Sequence, residues 1–531
     1  MRYRTMKSFR TFITCSFVLC FVLLLAFSNN FTCIRQPLDL DPPYLATNGS
    51  KNFQKPRDKL LGGLLDAEFD ETSCLSRYQS SLYRKPSRYK PSRYLISKLR
   101  SYETLHKRCG PGTEAYKRSV KLLDQEELAS SSDELCQYIV WVPLAGLGNR
   151  ILSLVSVFLY ALLTDRVMLV DQRNDISDLF CEPFPGTSWL LPLDFPLTNQ
   201  LDRFHWHSPR SYGNMLKHHV INYSTTERFP SYFYLHLVYN YGAYDQMFFC
   251  EGDQSLIKKV PWLIVKSDNY FIPFLWLSFQ TRLIKLFPQK ETIFHHLARY
   301  LINPTNQVWG LVNRFYNAYL SRADERLGIQ VRVFHRAKSL KLVMDQIVSC
   351  TQGEKLLPEA EAAQEESQVM MNVSKTPKLK AVLVTSLNPD YSNNLKSLYW
   401  EGLSSTGDVI GVYQPSQEMH QLRNNKLHNQ KALAEMYLLS LTDNIVTSAW
   451  STFGYVAQGL GGLKPWILYK PVNYTTPDPP CGRAMSMEPC FHSPPPFNVC
   501  GTETWKRIVP FVKPCEDRVS GVKLFDSPED L

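Results

Sequence analysis

Apolar residues in the middle of the chain fall into short β-rich runs separated by longer helical segments. Tyr138–Val142 is a five-residue run that predicts a buried strand, and residues 143–148 form a turn with two glycines. Residues 149–164 are almost entirely apolar and contain neither proline nor glycine, which predicts a buried helix. Val167–Val170 predicts a second strand. Strand, glycine turn, helix and strand together indicate a βαβ unit.

The same alternation returns after residue 325. Helical patterns at residues 428–441 and 453–460 lie between several short apolar runs. The predicted strands cover residues 329–334, 381–384, 409–413, 444–447 and 466–469. Alternating strands and helices favour parallel sheets, and two such regions predict an α/β protein with two Rossmann-like lobes facing a cleft. Parallel sheets bind ligands at the carboxyl ends of their strands, so chemistry is expected there.

The N-terminal segment has the pattern of a membrane anchor. Four basic residues lie within the first ten positions, and an uncharged run of 17 residues follows at positions 11–27. This length is at the short limit for a spanning helix, and the basic flank predicts a cytosolic N-terminus with a lumenal body. The alternative is a cleaved signal peptide, with Ala26-Phe27-Ser28 as a small-residue cleavage site.

These patterns divide the chain into six segments. We expect a cytosolic tail (1–10), a transmembrane signal-anchor (11–28), a stem (29–95), an N-terminal lobe (96–325), a C-terminal lobe (326–480) and a cysteine-rich tail (481–531). The stem contains two copies of Lys-Pro-Ser-Arg-Tyr, at residues 85–89 and 90–94, and no catalytic pattern.

Composition indicates the charge of the expected ligands and the kind of cellular compartment. The net charge is +10, but the basic residues are scattered, which favours anionic ligands and not nucleic acid. Ten of the 13 cysteines lie beyond residue 70, an even number that indicates disulfides in an oxidising compartment. The last four of them, from Cys481 to Cys515, are expected to hold the tail together. Candidate N-glycosylation sites are Asn30, Asn48, Asn222, Asn372 and Asn473.

Three segments carry candidate chemistry. In the first turn, Gly146 and Gly148 let backbone amides approach an anion, and Asn149 and Arg150 stand at the start of a helix. Arg150 can add a charge-assisted bond to phosphate. The alternative is a tight turn that binds nothing.

The second and third segments end predicted strands of the C-terminal lobe. Strand alternation places Gln330, Arg332 and Phe334 on one face, where an arginine needs a partner, either a carboxylate or a diphosphate. Residues 444–454 run from a strand through a hydroxyl-rich turn into a helix. Ser451 or Thr452 can cap that helix. Its start can also receive ribose or phosphate groups, with Trp450 or Phe453 against a base or sugar.

Several longer motifs identify a family. Residues 146–170 include Phe-Leu-Tyr-Ala-Leu-Leu-Thr, residues 178–184 read Asp-Leu-Phe-Cys-Glu-Pro-Phe, and residues 328–334 and 447–457 are equally distinctive. Together with the tail from Cys481 to Cys490, they resemble the plant galactoside α-1,2-fucosyltransferases, including the xyloglucan and arabinogalactan fucosyltransferases. The resemblance covers about residues 135–526 and leaves the stem outside.

The resemblance implies a GT-B-like fold with the acceptor on the N-terminal lobe and the nucleotide sugar on the C-terminal lobe. It also implies a metal-independent, inverting transferase that uses GDP-β-L-fucose. It makes Arg332 the arginine that binds the diphosphate, and it places residues 146–150 and Ser451, Thr452 and Phe453 around the nucleotide. The wider fucosyltransferase group usually has histidine where this chain has Gln330, and the plant family departs there too. No cofactor is expected. The one D-x-D, at residues 39–41, lies in the stem, away from any expected catalytic metal.

The catalytic base is less defined. An inverting displacement normally needs a base on the acceptor hydroxyl. Asp268 follows a strand-like run and is the first candidate, Asp245 is the second, and either can instead be a structural carboxylate. A very dissociative reaction needs no strong base.

The expected partners and location follow from the resemblance and the anchor. The partners are GDP-fucose, a cell-wall polysaccharide or glycoprotein acceptor, and the membrane, while homo-oligomer formation stays open. The expected location is the Golgi membrane, single-pass, with the catalytic part in the lumen. Two alternatives are a glycan-binding protein on this fold without turnover and a transferase with a different donor.

Overall fold

The computed structural model of the chain describes residues 58–526, apart from residues 126, 130–135, 174, 223–227, 334–339, 362–376, 423–424, 472–474 and 502. Residues 57–531 form one compact unit. The predicted cytosolic tail and anchor, the D-x-D, Phe334 and the sequons at Asn30, Asn48, Asn372 and Asn473 lie outside the described residues.

The N-terminal lobe is built on a four-stranded parallel sheet. Its strands are β1 (Tyr138–Val142), β2 (Val167–Val170), β3 (Tyr232–Leu237) and β4 (Trp262–Ser267), in the spatial order β2-β1-β4-β3. Nearly every position in these strands is buried, as expected for a parallel sheet covered on both faces. The βαβ unit predicted around β1 and β2 is confirmed.

A second sheet of six strands carries the C-terminal lobe. Its strands are β5 (Glu325–Gln330), β6 (Leu379–Thr385), β7 (Val409–Tyr413), β8 (Asn444–Ser448), β9 (Trp466–Leu468) and β10 (Cys481–Arg483). The spatial order is β7-β6-β5-β8-β9-β10, and only the edge strand β10 runs antiparallel. The predicted α/β fold with parallel sheets is therefore confirmed, with β10 extending the lobe beyond residue 480.

Helices of eight or more residues surround the two sheets. They are α1 (Leu75–Tyr83), α2 (Arg93–Cys109), α3 (Glu114–Lys121), α4 (Leu147–Thr164), α5 (Ile272–Leu286), α6 (Ile293–Leu301), α7 (Asn306–Phe315), α8 (Leu340–Gly353), α9 (Asp390–Glu401), α10 (Lys426–Leu439) and α11 (Thr452–Gly461). Shorter helices cover Ile176–Leu179, Tyr212–Lys217, Ala243–Gln246, Glu251–Ile257 and Thr504–Ile508. Two-stranded pairings join Glu127–Ala129 to Arg228–Pro230, Ala360–Glu361 to Leu403–Ser404 and Val512–Pro514 to Val522–Leu524.

Helix α4 is the hydrophobic centre of the molecule. It buries every residue except Asn149 and Thr164, and Asp165 ends it in the left-handed conformation with φ 54°. In the described part of the chain, α4 is the one helix that is long and apolar enough to cross a membrane. It is nevertheless a core helix, because it packs against α5, α6 and α11. Because α4 follows β1 and α11 follows β8, this packing joins the helices that follow the central strands of both sheets.

The structure changes one predicted strand. The strand expected at residues 329–334 begins at Glu325 and ends at Gln330, so Arg332 lies in the loop that follows. The Arg332 amide donates to the Ser448 side-chain oxygen (2.9 Å) and not to a backbone carbonyl of the neighbouring strand, which ends the ladder. Gln330 and Arg332 nevertheless line the same cavity, Gln330 from the end of the strand and Arg332 from the loop that follows.

All ten cysteines beyond residue 70 are paired. The disulfides are Cys74–Cys181, Cys109–Cys136, Cys250–Cys500, Cys350–Cys481 and Cys490–Cys515. The last four cysteines do hold the tail in place, but only Cys490–Cys515 joins the tail to itself. Cys481 ties β10 to α8 and Cys500 ties the tail to the N-terminal lobe, so the tail gains its core from both lobes.

Residues 58–95, expected to be part of a stem, belong to this compact unit. Helix α1 is bound through the Cys74–Cys181 disulfide and through the Ser76 hydroxyl, which donates to the Pro304 carbonyl (2.7 Å). Ser92 caps α2 by accepting from the Leu95 amide. The structural boundary therefore falls at Arg57 and not at residue 95.

Candidate active site

A cavity of about 430 Å³ lies at the carboxyl ends of β1, β5 and β8. Most of the residues predicted from sequence line it. The cavity thus brings together three segments that are spread over about 300 positions of the chain. The sequence-predicted residues on its wall are Gly146, Gly148, Asn149, Arg332, Ser451, Thr452 and Phe453. This position is where parallel sheets bind ligands.

Two helices begin at this cavity, side by side. A side-chain Cβ at Gly148 would lie 2.6 Å from the Thr452 hydroxyl oxygen and 2.8 Å from the Thr452 carbonyl carbon. Only glycine therefore lets the first turn of α4 approach the first turn of α11. Helix N-termini carry unpaired amides and partial positive charge, so their meeting favours an anion in the space they face.

Asn149 connects this junction to Asp268. Its side-chain oxygen accepts from the Thr452 hydroxyl (2.9 Å), and its side-chain amide donates to the Asp268 carbonyl (3.1 Å). One side chain thus bridges the loop after β8 in the C-terminal lobe and the loop after β4 in the N-terminal lobe. Asn149 is placed to hold the two walls of the cavity in register.

Arg150 does not line the cavity. Its buried guanidinium donates to the Asp175 carboxylate (2.7 Å), and Asp175 also accepts from the Asn429 side chain (2.6 Å). The prediction that Arg150 binds phosphate finds no support in this geometry, because its charge is matched inside the protein. Arg150 instead fixes Asp175, which orients Asn429 on the cavity wall.

Arg332 does line the cavity and is partly exposed to it. Its guanidinium donates to the Gln421 side-chain oxygen (2.9 Å). Because the Arg332 side chain projects from a loop and not from a buried strand, the free-energy cost of desolvating its charge is lower. The planar guanidinium presents paired donors of the kind that match the oxygens of a phosphate.

The turn between β8 and α11 holds a strained residue that the sequence does not reveal. Trp450 adopts the left-handed conformation with φ 63°. Its backbone amide donates to the Asp517 carboxylate (2.9 Å) and its indole donates to the Asp517 carbonyl. Ser451 then caps α11 by accepting from the Gly454 amide, so the capping role falls to Ser451 and not to Thr452. Strain of this kind persists where surrounding contacts impose it.

The C-terminal tail supplies site residues that sequence reasoning missed. His492 and Arg518 line the cavity, and Arg518 donates to the His492 carbonyl (2.9 Å). Tyr455 donates to the Asp517 carboxylate and contacts the His492 ring nitrogen (3.0 Å). Burial lowers the pKa of His492 to about 4, so its imidazole is neutral near pH 7. No local pattern marks these tail residues, because they reach the cavity only when the tail folds back.

A carboxyl pair lines the side of the cavity formed by α10. Lys431 hydrogen-bonds Glu418 and lowers the pKa of that carboxyl. Burial raises the pKa of Glu435 to about 8, and the Ser416 hydroxyl is hydrogen-bonded to it. Near pH 7 Glu418 is therefore ionised and paired, whereas Glu435 keeps its proton.

The two base candidates differ in position. Asp268 stands directly after β4, accepts from the Tyr239 amide (2.9 Å), and burial raises the pKa of its carboxyl. Asp245 is buried within the N-terminal lobe, where it caps the helix Ala243–Gln246 by accepting from the Gly242 amide (3.0 Å), and burial raises its pKa to about 6. Neither carboxylate lines the cavity, but Asp268 is one hydrogen-bonded residue away from it.

Potential metal ligands gather at one place in the described part of the chain. Cys490, Cys515 and Asp517 have ligand atoms within 4.8 Å of one another. The two cysteines are joined in a disulfide and have no thiolate to offer. The absence of a catalytic metal stays a prediction.

Two α/β lobes whose parallel strands end at one shared cavity form the arrangement expected of a GT-B-like glycosyltransferase. The sequence model of the family described as xyloglucan fucosyltransferase matches residues 44–500. The chain therefore belongs to the xyloglucan fucosyltransferase family, a family of plant fucosyltransferases, and is a glycosyltransferase.

Individual relatives are similar to this chain over most of its length, in sequence and in structure. "Probable fucosyltransferase 8" of Arabidopsis thaliana is 65% identical over 528 residues, which is 98% of this chain and 100% of that protein. "Galactoside 2-alpha-L-fucosyltransferase" of Arabidopsis thaliana is 62% identical over 541 residues, covering 98% and 93%. A solved mutant of Arabidopsis thaliana FUT1 in complex with GDP superposes with a TM-score of 0.80 at 65% identity, covering 88% of this chain and 100% of that one.

Proposed function

We propose that this chain transfers L-fucose from GDP-β-L-fucose, with inversion, to O2 of a galactose in a plant cell-wall glycan such as xyloglucan. One observation carries the proposal: the N-termini of α4 and α11 and the Arg332 side chain meet at a single cavity. A diphosphate is the anion that such a site suits. The relative solved with GDP and the relative named galactoside 2-alpha-L-fucosyltransferase support the donor and the linkage.

The reaction then depends on charge at the leaving group. The bond between the anomeric carbon of fucose and the β-phosphate oxygen breaks, and GDP leaves with the electron pair. Arg332 and the two helix N-termini would stabilise the negative charge that grows on the β-phosphate. The fucosyl group passes through an oxocarbenium-like state while the acceptor O2 attacks its opposite face.

Asp268 is the proposed base for the acceptor proton. Burial raises the pKa of its carboxyl, which brings it closer to the range in which a carboxylate accepts a proton efficiently. Its hydrogen bond through Asn149 to Thr452 ties its position to the donor cavity. Inversion requires the base on the acceptor side, and Asp268 belongs to the N-terminal lobe, which is the proposed acceptor side.

An exposed aromatic residue supports an acceptor surface beside Asp268. Tyr239, whose amide hydrogen-bonds Asp268, exposes 66% of its surface. Aromatic faces suit the apolar faces of sugars, and exposed aromatics on a soluble domain often mark binding sites. Arabinose on an arabinogalactan protein is the alternative acceptor.

The test is transfer by the full-length chain in detergent. We expect fucose from labelled GDP-fucose to appear on xyloglucan or on arabinogalactan, and not to appear when GDP-mannose or UDP-galactose replaces the donor. Transfer to one polymer identifies the acceptor. GDP binding without transfer to either polymer or to water would indicate a glycan-binding protein, and transfer only from another donor would reassign the substrate.

Metal independence is a separate proposal with its own prediction. Since Arg332 and the helix N-termini supply positive charge to the diphosphate, we expect an excess of EDTA to leave kcat unchanged. The measurement is initial fucosyl transfer before and after chelation, with Mg²⁺ or Mn²⁺ added back. A large loss that the added metal restores would mean that a metal takes part.

The buried Glu435 predicts a pH dependence of donor binding. Its pKa of about 8 means that Glu435 is neutral below that value and ionised above it. Ionisation adds a negative charge to the cavity wall, so GDP affinity should fall as pH rises through about 8. In the Glu435→Gln variant this side chain stays neutral at every pH, so the decrease in GDP affinity with rising pH should be smaller. An unchanged pH profile in this variant would assign the titration to another group.

The location of the protein is proposed from its N-terminal pattern. A Golgi membrane protein with residues 11–28 as a single-pass anchor would keep the catalytic part in the lumen, where Asn222, which is exposed, could carry a glycan. Release of N-glycans from the expressed chain should increase its gel mobility. Unchanged mobility, together with digestion of the body by protease outside sealed vesicles, would place the body on the cytosolic side.

A further inference from the structure

A second cavity, of about 330 Å³, lies at the other end of β8 and α11. The active-site cavity contacts Ser451 and Thr452 at the start of α11, whereas the second cavity contacts Asn444 at the start of β8 and Gly461 at the end of α11. A helix of ten residues is about 15 Å long, so the two cavities are separated by roughly that distance. The second cavity is therefore a different site from the one proposed for the donor.

The wall of the second cavity is strongly basic. Six cationic side chains line it, against one carboxylate, Asp443. The cations are Arg84, Lys85, Arg88, Arg299, Lys464 and Arg483. Lys85 forms an ion pair with Asp443, and Lys464 forms one with Glu291 (2.8 Å). The four arginines on the wall form no ion pair with a carboxylate of the described residues.

Two of these arginines are removed from solvent, Arg84 almost fully and Arg299 in part. Arg84 donates to the Ser440 hydroxyl (3.2 Å) and to the Leu460 carbonyl (3.3 Å), so part of its role is to cap α11. Arg299 contacts the His295 ring nitrogen (3.2 Å), and its Nε has no hydrogen-bond partner among the described residues. Burial, and then the charge of Arg84, lowers the pKa of Arg299 to about 9. Two desolvated like charges cost free energy unless an anion joins them.

The first Lys-Pro-Ser-Arg-Tyr copy forms one side of this cavity. Residues 85–89 all line it, and the Ser87 hydroxyl contacts the His295 ring nitrogen (3.3 Å). The second copy has another role, because Ser92 caps α2. The first copy thus delivers Lys85 and Arg88 to a wall that Arg84, Arg299, Lys464 and Arg483 already make positive.

We propose that this cavity binds a ligand that carries an oxyanion, phosphate or carboxylate, on a body of up to about monosaccharide size. Guanidinium groups present paired donors that match both oxyanions. The volume of about 330 Å³ is roughly ten times the 30 Å³ share of one water, which leaves room for more than a bare ion. The site binds its ligand independently of the donor cavity.

The test uses the full-length chain in detergent with saturating GDP, so that the first cavity is filled. Calorimetry at low ionic strength compares glucose 1-phosphate, glucuronate and neutral glucose as probes. We expect at least one anionic probe to bind and glucose not to bind. If only glucose 1-phosphate or only glucuronate binds, the result identifies which of the two oxyanions the ligand carries. If both bind, the cavity recognises either oxyanion.

Paired variants decide whether the site is the basic cavity. Lys85→Gln combined with Arg88→Gln should weaken the anionic probe at least tenfold, since both side chains lie at the rim and their loss spares the core. Arg322→Gln combined with Lys396→Gln removes the same charge from exposed positions elsewhere and should leave the affinity unchanged. No binding of either anion, or equal binding in both double variants, would overturn the proposal. Fucosyl transfer measured in parallel reports on the donor site separately.

Discussion

Arg332→Ala is expected to abolish fucosyl transfer. Arg332 lies in the loop after the carboxyl end of β5, where its side chain lines the cavity and its guanidinium donates to the Gln421 side-chain oxygen. Loss of one preorganised donor to a developing oxyanion costs about 10²–10³ in kcat. Loss of a charge-assisted hydrogen bond should also weaken GDP binding by about 1.5–3 kcal/mol. Initial rates with GDP-fucose and calorimetry with GDP give the two values.

Two further variants make this result specific. Arg322→Ala removes an exposed arginine outside the cavity and should keep full activity, which controls for the change in net charge. Arg332→Lys keeps the charge but loses the planar pair of donors, so it should retain GDP binding better than activity. Near-normal transfer by Arg332→Ala would remove this residue from the donor site.

Asp268→Asn is expected to lower kcat by about 10²–10⁴ while GDP affinity stays close to that of the wild type, because a general base contributes on that scale to the chemical step alone. The substitution preserves shape and can still accept from the Tyr239 amide, so the fold should be kept. The pH–rate profile should lose its acidic limb in the variant. Wild-type turnover would exclude Asp268 as the base and favour a dissociative reaction without one.

Asp245→Asn is the matched comparison. The Asp245 carboxylate is buried, caps a short helix and lies against Gly213, where a Cβ would come within 2.3 Å of its oxygen. Its replacement should lower thermal stability and leave kcat of the folded protein nearly unchanged. The reverse pattern, normal stability with lost turnover, would exchange the roles of the two aspartates.

Part of the candidate site follows from local sequence. The sequence predicts that Gly146 and Gly148 let backbone amides approach an anion, and the structure adds that a Cβ at Gly148 would collide with Thr452 of the other lobe, while Gly146 faces Gln421. Ser451 was one of two predicted caps because a hydroxyl before an apolar helix satisfies its free amides. Such predictions succeed when the physical constraint acts within a few residues.

Other parts depended on contacts that no local pattern contains. Arg150 lies at the start of a helix, as a phosphate-binding arginine would, but its guanidinium forms an ion pair with Asp175. His492 and Arg518 enter the site only because the tail packs back, with Tyr270 bonded to Glu488 and Trp276 stacked on Phe511 (4.5 Å). Long-range pairing of this kind decides which polar groups remain available to a ligand.

The sequence by itself determined the alternating elements, the parallel sheets, the family and the strand ends at which the chemistry lies. Periodicity, turn residues and helix starts are local properties, so they can be read from neighbouring positions. The tertiary structure alone decided which cysteines pair, which arginines line a cavity, and that residues 84–89 of the predicted stem form one side of a basic cavity. These outcomes depend on distances and burial between segments far apart in the chain, and such quantities exist only after the chain has folded.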